Sequence, residues 1–299
     1  MADIVRAIRP APDDLMVEIG PGLGALTRPL LQQLPHLHVV EIDRDIVARL
    51  HQEFSASKLT VHQADALKFD FAALLDVSPI CDSELGPPSP SPLGGEGRGE
   101  GVSVPAQVVA NCRKLVRGNE NKLRVVGNLP YNISTPLLFH LSGYAERISD
   151  LHFMLQKEVV ERMVAAPSTP DYGRLSVMLQ CRFEMELLFI VPPEAFRPAP
   201  KVESAIVRMR PLERAVVAEG DKQLFAAIVA AAFSQRRKTL RNTLAKYLKQ
   251  EDFAALEIDP QQRAENLSVA DFVRITHFVG RMSAALSAVL PMKRETDGG

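Results

Sequence analysis

The chain has 299 residues, of which 46% are hydrophobic, and a formal net charge of −1 at pH 7. This length suits one large domain or two modest ones, with enough apolar side chains for real cores. No apolar run is long enough to cross a membrane, and the first residues lack the apolar centre of a signal peptide. The three cysteines show no paired spacing for zinc or a redox motif, which indicates reduced thiols in a cytoplasmic protein.

A glycine loop near the N-terminus is the first nucleotide-binding signal. A buried strand is predicted at 15–19, the next residues read GPGLGA, and a helix is predicted up to about residue 34. A second strand, predicted at 38–42, ends in Glu41 and Asp43. These acids follow the loop by about 20 residues, where an acidic side chain can bind the hydroxyls of a ribose.

The loop also matches the dinucleotide fingerprint, so NAD is the alternative ligand. Glu18 directly precedes the loop and favours a cationic ligand over a pyrophosphate, and the chain shows no evident hydride-transfer groups. S-adenosylmethionine carries an amino group, a sulfonium and a ribose, and therefore suits Glu18 and Glu41 better. A third strand, predicted at 58–62, leads to Asp65, which can accept from an adenine amino group or cap a helix.

The most informative stretch is the quartet Asn128-Leu129-Pro130-Tyr131. A strand is predicted at 123–126, and Gly127 is then expected to let the backbone turn. Thr135 and Pro136 are expected to open a helix as its N-cap and first residue. The quartet therefore lies at the carboxyl end of a strand, where open α/β sheets bind ligands.

The quartet suits methylation of an amino group conjugated to a ring, because the delocalised lone pair of such a nitrogen is a poor nucleophile. The Asn128 side-chain oxygen and a backbone carbonyl near Leu129 can accept both N–H groups and turn the lone pair toward an electrophile. Pro130 fixes φ and removes a competing donor, and Tyr131 offers a flat face to a flipped-out base. The alternative is an ordinary strand-to-helix turn with a packed tyrosine.

The pattern breaks between the third predicted strand and the quartet, over residues 78–121. Residues 86–101 consist largely of Gly, Pro, Ser and Glu, which cannot bury enough apolar surface to order themselves. We predict a disordered insertion that loops out at the surface.

Three further strands are predicted, at 150–156, 185–191 and 203–209. Helices are predicted between the first and second of them, and a proline-rich loop joins the second to the third. That loop carries Phe196, Arg197 and Lys201. A ring held in such a stiff loop suits an aromatic wall for a base, although a core position for Phe196 explains the sequence equally well.

Predicted helices replace strands from about residue 211, which indicates a small helical domain over 211–287 and a flexible tail at 288–299. The stretch 222–250 contains no acidic residue, and its apolar residues recur at helical spacing. Within it lie Arg236, Arg237, Lys238 and Arg241. This cationic cluster is expected to contact a nucleic-acid phosphate backbone.

Taken in order, these motifs resemble the KsgA family of ribosomal RNA small-subunit adenine dimethyltransferases. The similarity covers nearly the whole chain apart from the insertion and the residues after about 287. The stretches that carry it are Glu18–Gly22, Glu41–Asp43, Asp65–Ala66, Asn128–Ser134, Met154–Val159, Tyr172–Ser176, Phe196–Val202, Gln235–Thr239 and Arg263–Ser268.

The resemblance implies an α/β fold, with a Rossmann-like class I methyltransferase sheet over residues 1–210 and an all-helical C-terminal domain. It implies dimethylation of the N6 atoms of two adjacent adenosines, in a hairpin loop near the 3′ end of small-subunit ribosomal RNA, with S-adenosylmethionine as cofactor. The residues expected to bind the cofactor are Glu18, Gly20, Gly22, Glu41, Asp65 and Asn128. The residues expected to hold the target base are the quartet and Phe196, and those expected to contact RNA are Arg197, Lys201, Arg236, Arg237, Lys238 and Arg241.

Family members usually begin with a basic segment, resembling K-R-x-G-Q-N/H-F-L, that closes over the cofactor. This chain begins after the place of that segment, so either its start is shortened or its cofactor binding is weaker. A non-catalytic assembly factor that binds ribosomal RNA is one alternative function. Methylation of a DNA adenine or a protein glutamine, at a similar Asn-Pro-aromatic site, is another. We expect a monomer that works on the immature small subunit in the cytoplasm, without a membrane or a metal.

Overall fold

The structure, a computed structural model, describes residues 1–75, 122–130, 133–196 and 199–289, with side chains up to residue 282. Tyr131, Arg197 and the whole predicted insertion lie outside the described residues, as does the predicted tail from residue 290 onward.

A mixed sheet forms the centre of the N-terminal part of the chain. Its strands in sequence order, β1 to β7, are Met16–Ile19, Leu37–Glu41, Leu59–Gln63, Leu123–Asn128, Ile148–Gln156, Phe183–Val191 and Ser204–Pro211. Their order in the sheet is β3-β2-β1-β4-β5-β7-β6. The first five strands run parallel, and β7 is antiparallel to both β5 and β6.

The sheet order reverses between β1 and β4. From β1 the chain continues outward to β2 and β3, and it then returns to form β4 on the other side of β1. The carboxyl ends of β1 and β4 therefore flank a crevice, which is where open α/β sheets bind ligands. This topology positions the glycine loop, which follows β1, beside Asn128, which ends β4.

Helices cover the sheet and then form the C-terminal part. In chain order, α1 to α10 are Ala2–Ile8, Thr27–Leu31, Arg44–Glu53, Ser134–Ser142, Lys157–Val164, Arg174–Gln180, Lys222–Ala232, Leu240–Thr243, Gln250–Ala255 and Val269–Val289. All four residues of β1 are buried, and three of the four are apolar, as expected for a parallel strand covered on both faces; the fourth is Glu18. One face of the sheet packs Leu151 and Phe153, and the other packs Val126 and Met154 with Ile4 of α1.

The core of the helical part includes residues from before position 211. Phe225, Phe253 and Phe272 form a buried cluster with Tyr172 and Cys181, two residues that flank α6. The predicted boundary near residue 210 thus divides two regions that share apolar contacts, and the two-domain description stays a prediction.

Gly127 lies inside β4, and the prediction of a turn at this residue was wrong. It pairs with Ile19 of β1, and a Cβ at this position would lie 2.7 Å from the Ile19 carbonyl oxygen and 3.1 Å from Leu129 Cδ2. The sequence calls for glycine because two backbones approach closely here, which is the other common reason for glycine in a strand.

The helix after the quartet also begins differently from the prediction. Its first residue is Ser134 and its N-cap is Ile133, so Thr135 and Pro136 occupy the second and third helical positions. Pro136 still lies in the first turn, where a backbone N–H has no intrahelical acceptor, so its missing donor costs the helix nothing.

Replacement of Gly127 by alanine should destabilise the fold, because the new methyl group would force β1 and β4 apart. We expect the free energy of unfolding to fall by about 1–3 kcal/mol, as in other overpacked cores. Chemical denaturation followed by circular dichroism measures this. Gly220→Ala is the matched control, since a Cβ at Gly220 meets nothing within 4 Å. Equal stability of the two variants would contradict the close-approach explanation.

Candidate active site

The predicted cofactor residues lie along one edge of the sheet. Ile19 pairs with both Val40 and Gly127, and Glu41 pairs with Gln63. The glycine loop, Glu41, Asp65 and Asn128 therefore follow or end adjacent parallel strands on the same side. The structure brings these sequence-predicted groups to one edge of the sheet, beside the crevice between β1 and β4.

The glycine loop adopts backbone conformations that other residues avoid. Gly20, Gly22 and Gly24 have φ values of +65°, +52° and +77°, in the left-handed region that favours glycine. The Gly20 N–H donates to the Val40 carbonyl at 3.0 Å, and a Cβ on Gly20 would lie 4.0 Å from the Asn128 carbonyl oxygen. The loop therefore crosses the end of β1 close to the end of β4.

Glu18 is buried beneath this loop with an internal partner. Its Oε2 accepts from Thr27 Oγ1 at 2.7 Å, and only 2% of the residue is exposed. Burial raises the pKa of Glu18 to about 7, helped by the Glu41 carboxylate and opposed by the Thr27 hydrogen bond. A direct contact with a cationic ligand remains a prediction.

The two acids after β2 have different roles. Asp43 caps α3, because its Oδ1 accepts from the Asp45 and Ile46 N–H groups at 2.8 and 3.3 Å. Glu41 Oε1 accepts from the Ile42 and Asp43 N–H groups at 2.8 and 3.0 Å. Among the described residues none bonds to Glu41 Oε2 or to Asp43 Oδ2, so each acid has a second oxygen available, and Glu41 is the one that ends β2 at the edge of the sheet.

Asp65 follows β3 in a local turn. Its Oδ1 accepts from the Leu67 N–H at 2.9 Å, and the residue is half-buried. In the described part of the chain no helix begins directly after Asp65, so the capping role considered for it is absent, and its side chain closes a turn at the carboxyl edge of the sheet.

The quartet is anchored by its second residue. Leu129 is buried, and its N–H donates to the Met154 carbonyl of β5 at 3.2 Å. Asn128 and Pro130, on either side, are exposed. The Pro130 carbonyl accepts from the Ile133 N–H at 3.2 Å. Burial of Leu129 therefore holds the Asn128 side chain at the open end of the crevice.

Phe196 is half-buried at the end of a short turn, Pro193–Ala195. Its ring packs against the cluster that contains Ile4 and Ile206, which fits the core position considered from sequence. Its remaining exposure leaves the aromatic-wall interpretation as a prediction. Lys201 is exposed.

The predicted cationic cluster follows α7 and is exposed. Arg236, Arg237, Lys238 and Arg241 all lie at the surface, and the Arg236 Nη2 donates to the Pro170 carbonyl at 3.4 Å. The cluster is therefore accessible to a polyanion, and one member also contacts the turn before α6.

Residues 1–280 match the model of the family described as ribosomal RNA adenine dimethylase. The chain belongs to this family. It is 57% identical over 282 residues to Ribosomal RNA small subunit methyltransferase A of Nitrosospira multiformis, with 94% of this chain and 92% of the relative covered. The relative of the same name from Thiobacillus denitrificans is 55% identical over 276 residues, with 92% and 91% covered.

The fold is that of a solved dimethylase-type enzyme. A crystal structure of a dimethyladenosine transferase from Plasmodium falciparum superposes with a TM-score of 0.67 at 22% identity, over 94% of this chain and 95% of that chain. The predicted Rossmann-like class I methyltransferase fold is thereby confirmed.

Sequence reasoning missed two exposed apolar side chains in the candidate site. Leu23, in the glycine loop, is 59% exposed, and Ile42, directly after β2, is 65% exposed. The available signal for Ile42 was its position between two acids at the end of an apolar strand. Both side chains lie at the same edge as Glu41, so they offer apolar contacts to a ligand there.

No helix in the described part of the chain has the length and apolar character needed to cross a membrane. Within the same residues, no group of three or more His, Cys, Asp or Glu side chains could hold a metal ion. The expected independence from metal and membrane stays a prediction.

Replacement of Glu18 by glutamine should change stability in a pH-dependent way. The pKa of Glu18 is raised in the folded protein to about 7, so folding favours the protonated carboxyl, and this stability is lost as pH rises through 7. The amide of the variant stays neutral and can still accept from the Thr27 hydroxyl. As the pH is raised from 4.5 to 8, we expect the free energy of unfolding of Glu18→Gln to rise on the order of 2–3 kcal/mol relative to that of wild type.

The measurement is urea denaturation across this pH range. Glu184→Gln, at an exposed position of β6, is the control and should keep a constant difference from wild type. A constant difference for Glu18→Gln as well would show that the buried carboxyl is not the titrating group.

Proposed function

We propose that this chain transfers methyl groups from S-adenosylmethionine to the N6 atoms of adenosines in small-subunit ribosomal RNA. The observation that carries the proposal is the exposed Asn128, held at the sheet's switch point beside the glycine loop, in a chain of the ribosomal RNA adenine dimethylase family. The finer substrate, two adjacent adenosines in a hairpin loop near the 3′ end, follows from the motif resemblance.

The residues of the crevice fit the proposed cofactor. Glu41 Oε2 can accept from the ribose hydroxyls, and Asp65 can accept from the adenine amino group. The exposed side chains of Leu23 and Ile42 suit the two faces of an adenine ring. Gly20 and Gly22 let the backbone pass close to the ligand. When bound, the cofactor supplies a methyl group made electrophilic by the positive sulfur.

The quartet orients the acceptor nitrogen. The Asn128 Oδ1 and a backbone carbonyl next to Leu129 accept the two N6–H groups, so that the lone pair points at the methyl carbon. The target base must leave its stack to reach this crevice, and Tyr131 and Phe196 are the proposed aromatic contacts for it. The protein's contribution is positioning and exclusion of water.

The exposed cations provide the proposed RNA contacts. Arg236, Arg237, Lys238 and Arg241 are placed to neutralise phosphates, and Arg197 and Lys201 extend from the loop that carries Phe196. A role in maturation of the small subunit, a cytoplasmic location and a monomeric state complete the proposal.

The names of the relatives disfavour the alternative ligand and the alternative substrates. Both relatives named above carry a ribosomal RNA methyltransferase name, which disfavours NAD as the ligand and DNA or protein as the substrate. The non-catalytic assembly factor differs from the proposal in one measurable property, which is the absence of methyl transfer.

Incubation with labelled S-adenosylmethionine and small ribosomal subunits that lack adenine dimethylation tests the function directly. We expect N6,N6-dimethyladenosine when the RNA is digested and its nucleosides are identified by mass. Binding to the subunits without product would favour the assembly factor.

Asn128→Ala should lose methyl transfer while it keeps the fold. The exposed amide makes little contribution to packing, but its loss leaves the acceptor nitrogen unoriented, so we expect the single-turnover rate to fall by about 100-fold or more. Gln33→Ala, which removes another exposed amide, should be unaffected. A parallel fall in the thermal midpoint of Asn128→Ala would assign the residue a structural role instead.

Glu41→Gln should weaken cofactor binding. The amide oxygen of the variant can still accept from the backbone N–H groups of Ile42 and Asp43, but an NH₂ group replaces the second acceptor oxygen. We expect the Kd for S-adenosylmethionine, measured by isothermal titration calorimetry, to rise by about 10- to 100-fold, as for a lost hydrogen bond to a charged group.

Asp43→Asn is the control for Glu41→Gln, because Asp43 Oδ1 caps α3 and asparagine is an equally good N-cap. Its Kd should match that of wild type. If the two variants bind equally well, the ribose contact proposed for Glu41 is wrong.

A further inference from the structure

A cleft of about 350 Å³ lies where the sheet region meets the helical part. One wall comes from α5, with Glu158 and Arg162. The opposite wall is the segment after α7, with Phe233, Arg236 and Lys238, and the turn at 170–173 and residues 264–265 close the ends. The Arg236–Pro170 hydrogen bond joins the segment after α7 to the turn at 170–173.

The helix that forms one wall of the cleft, α5, begins at the same edge of the sheet as the quartet. Helix α5 begins at Lys157, directly after β5 ends at Gln156. β5 runs parallel to β4, and Met154 of β5 pairs with Asn128. Because the carboxyl ends of parallel strands share one edge, Glu158 and Arg162 stand on the side of the sheet where the target base is proposed to bind.

The cleft combines the groups that recognise a nucleotide. Arg162, Arg236 and Lys238 lie at its rim and suit a phosphate. Phe233 is partly buried in its wall, with its ring 5.8 Å from that of Phe272. A ring supported in this way offers a face to an unstacked base, as aromatic side chains do in single-stranded RNA recognition.

Three carboxylates also line the cleft, those of Glu158, Asp171 and Glu265. They would repel a bare phosphate backbone, so the cleft differs from a simple polyanion surface. Carboxylates accept hydrogen bonds from amino groups on base edges, such as the N4 amino group of cytosine. The lining therefore suits a base with an amino group together with its own phosphate.

We propose that this cleft binds one unpaired nucleotide of the RNA, outside the target-base site, and prefers a base that carries an amino group. Phe233 contacts the base, Glu158 or Glu265 accepts from its amino group, and Arg162, Arg236 and Lys238 bind the phosphate. The inference deepens the proposed function and rests on it for the identity of the RNA. Arg237 and Arg241, from the same cationic cluster, do not line the cleft.

Fluorescence anisotropy with labelled oligocytidylate and oligouridylate of equal length tests the proposal on the full chain. Cytosine also carries an amino group that the quartet could accept, so a double variant of Glu158 and Glu265 is needed to assign a preference to the cleft. We expect tighter binding of oligocytidylate, by severalfold. Arg162→Ala should weaken the binding of both probes. It should also reduce the magnitude of the slope of log K against log salt by about 0.7, the value for one phosphate contact on a single strand.

Arg174→Ala is the matched control, because Arg174 is an exposed arginine at the start of α6 that does not line the cleft. It should leave the affinity and the salt slope unchanged. Glu158→Gln combined with Glu265→Gln should remove the preference for cytosine and keep the salt slope. Unfolding midpoints of all variants confirm that they are folded.

Equal binding of the two probes by wild type would overturn the proposed base preference. Equal salt slopes for Arg162→Ala and Arg174→Ala would overturn the phosphate contact. Methyl transfer to small subunits is measured on the same preparations. If wild type transfers no methyl group but still prefers oligocytidylate, the proposed function is wrong and the proposed nucleotide site stands. If wild type transfers methyl groups but shows no preference between the probes, the proposed function stands and the proposed nucleotide site is wrong.

Discussion

The contact between β1 and β4 is the constraint on which the site depends. Gly127 pairs with Ile19 so closely that a methyl group has no room. The segments proposed to bind the ligands begin directly after this pair in both strands. The glycine loop leaves β1 just beyond Ile19, and Asn128 follows Gly127. The proposed cofactor and the proposed acceptor base would thus be held by two segments whose separation is set by backbone packing.

The other end of β4 is fixed by a different interaction. Arg124 Nη1 pairs with Asp14 at 2.5 Å, and its Nη2 pairs with Asp150 at 2.8 Å. The same guanidinium donates to the Ile8 and Arg9 carbonyls at the end of α1. Since a poorly exposed cation is tolerated when its donors are satisfied, this cluster docks α1 and braces β4. The strand that carries Asn128 is therefore restrained at both ends.

Sequence predicted the strands well because buried parallel strands are mostly apolar, as in β1 and β4, each of which contains a single charged side chain, Glu18 or Arg124. It failed at Gly127, because a glycine after an apolar run gives the same local signal for a turn and for close strand approach. The cleft joins segments far apart in sequence, and no local pattern indicates it.

The crevice concentrates features that folding alone does not favour. Three glycines with positive φ have high conformational entropy in the unfolded chain. Burial of Glu18 disfavours its charged form and raises its pKa. Leu23 and Ile42 leave apolar surface in water. Each feature lowers stability, and all of them lie at one edge of the sheet. Local rules are usually broken where a protein binds or reacts. Their coincidence at the switch point is therefore a physical argument for a ligand site, independent of any resemblance to other chains.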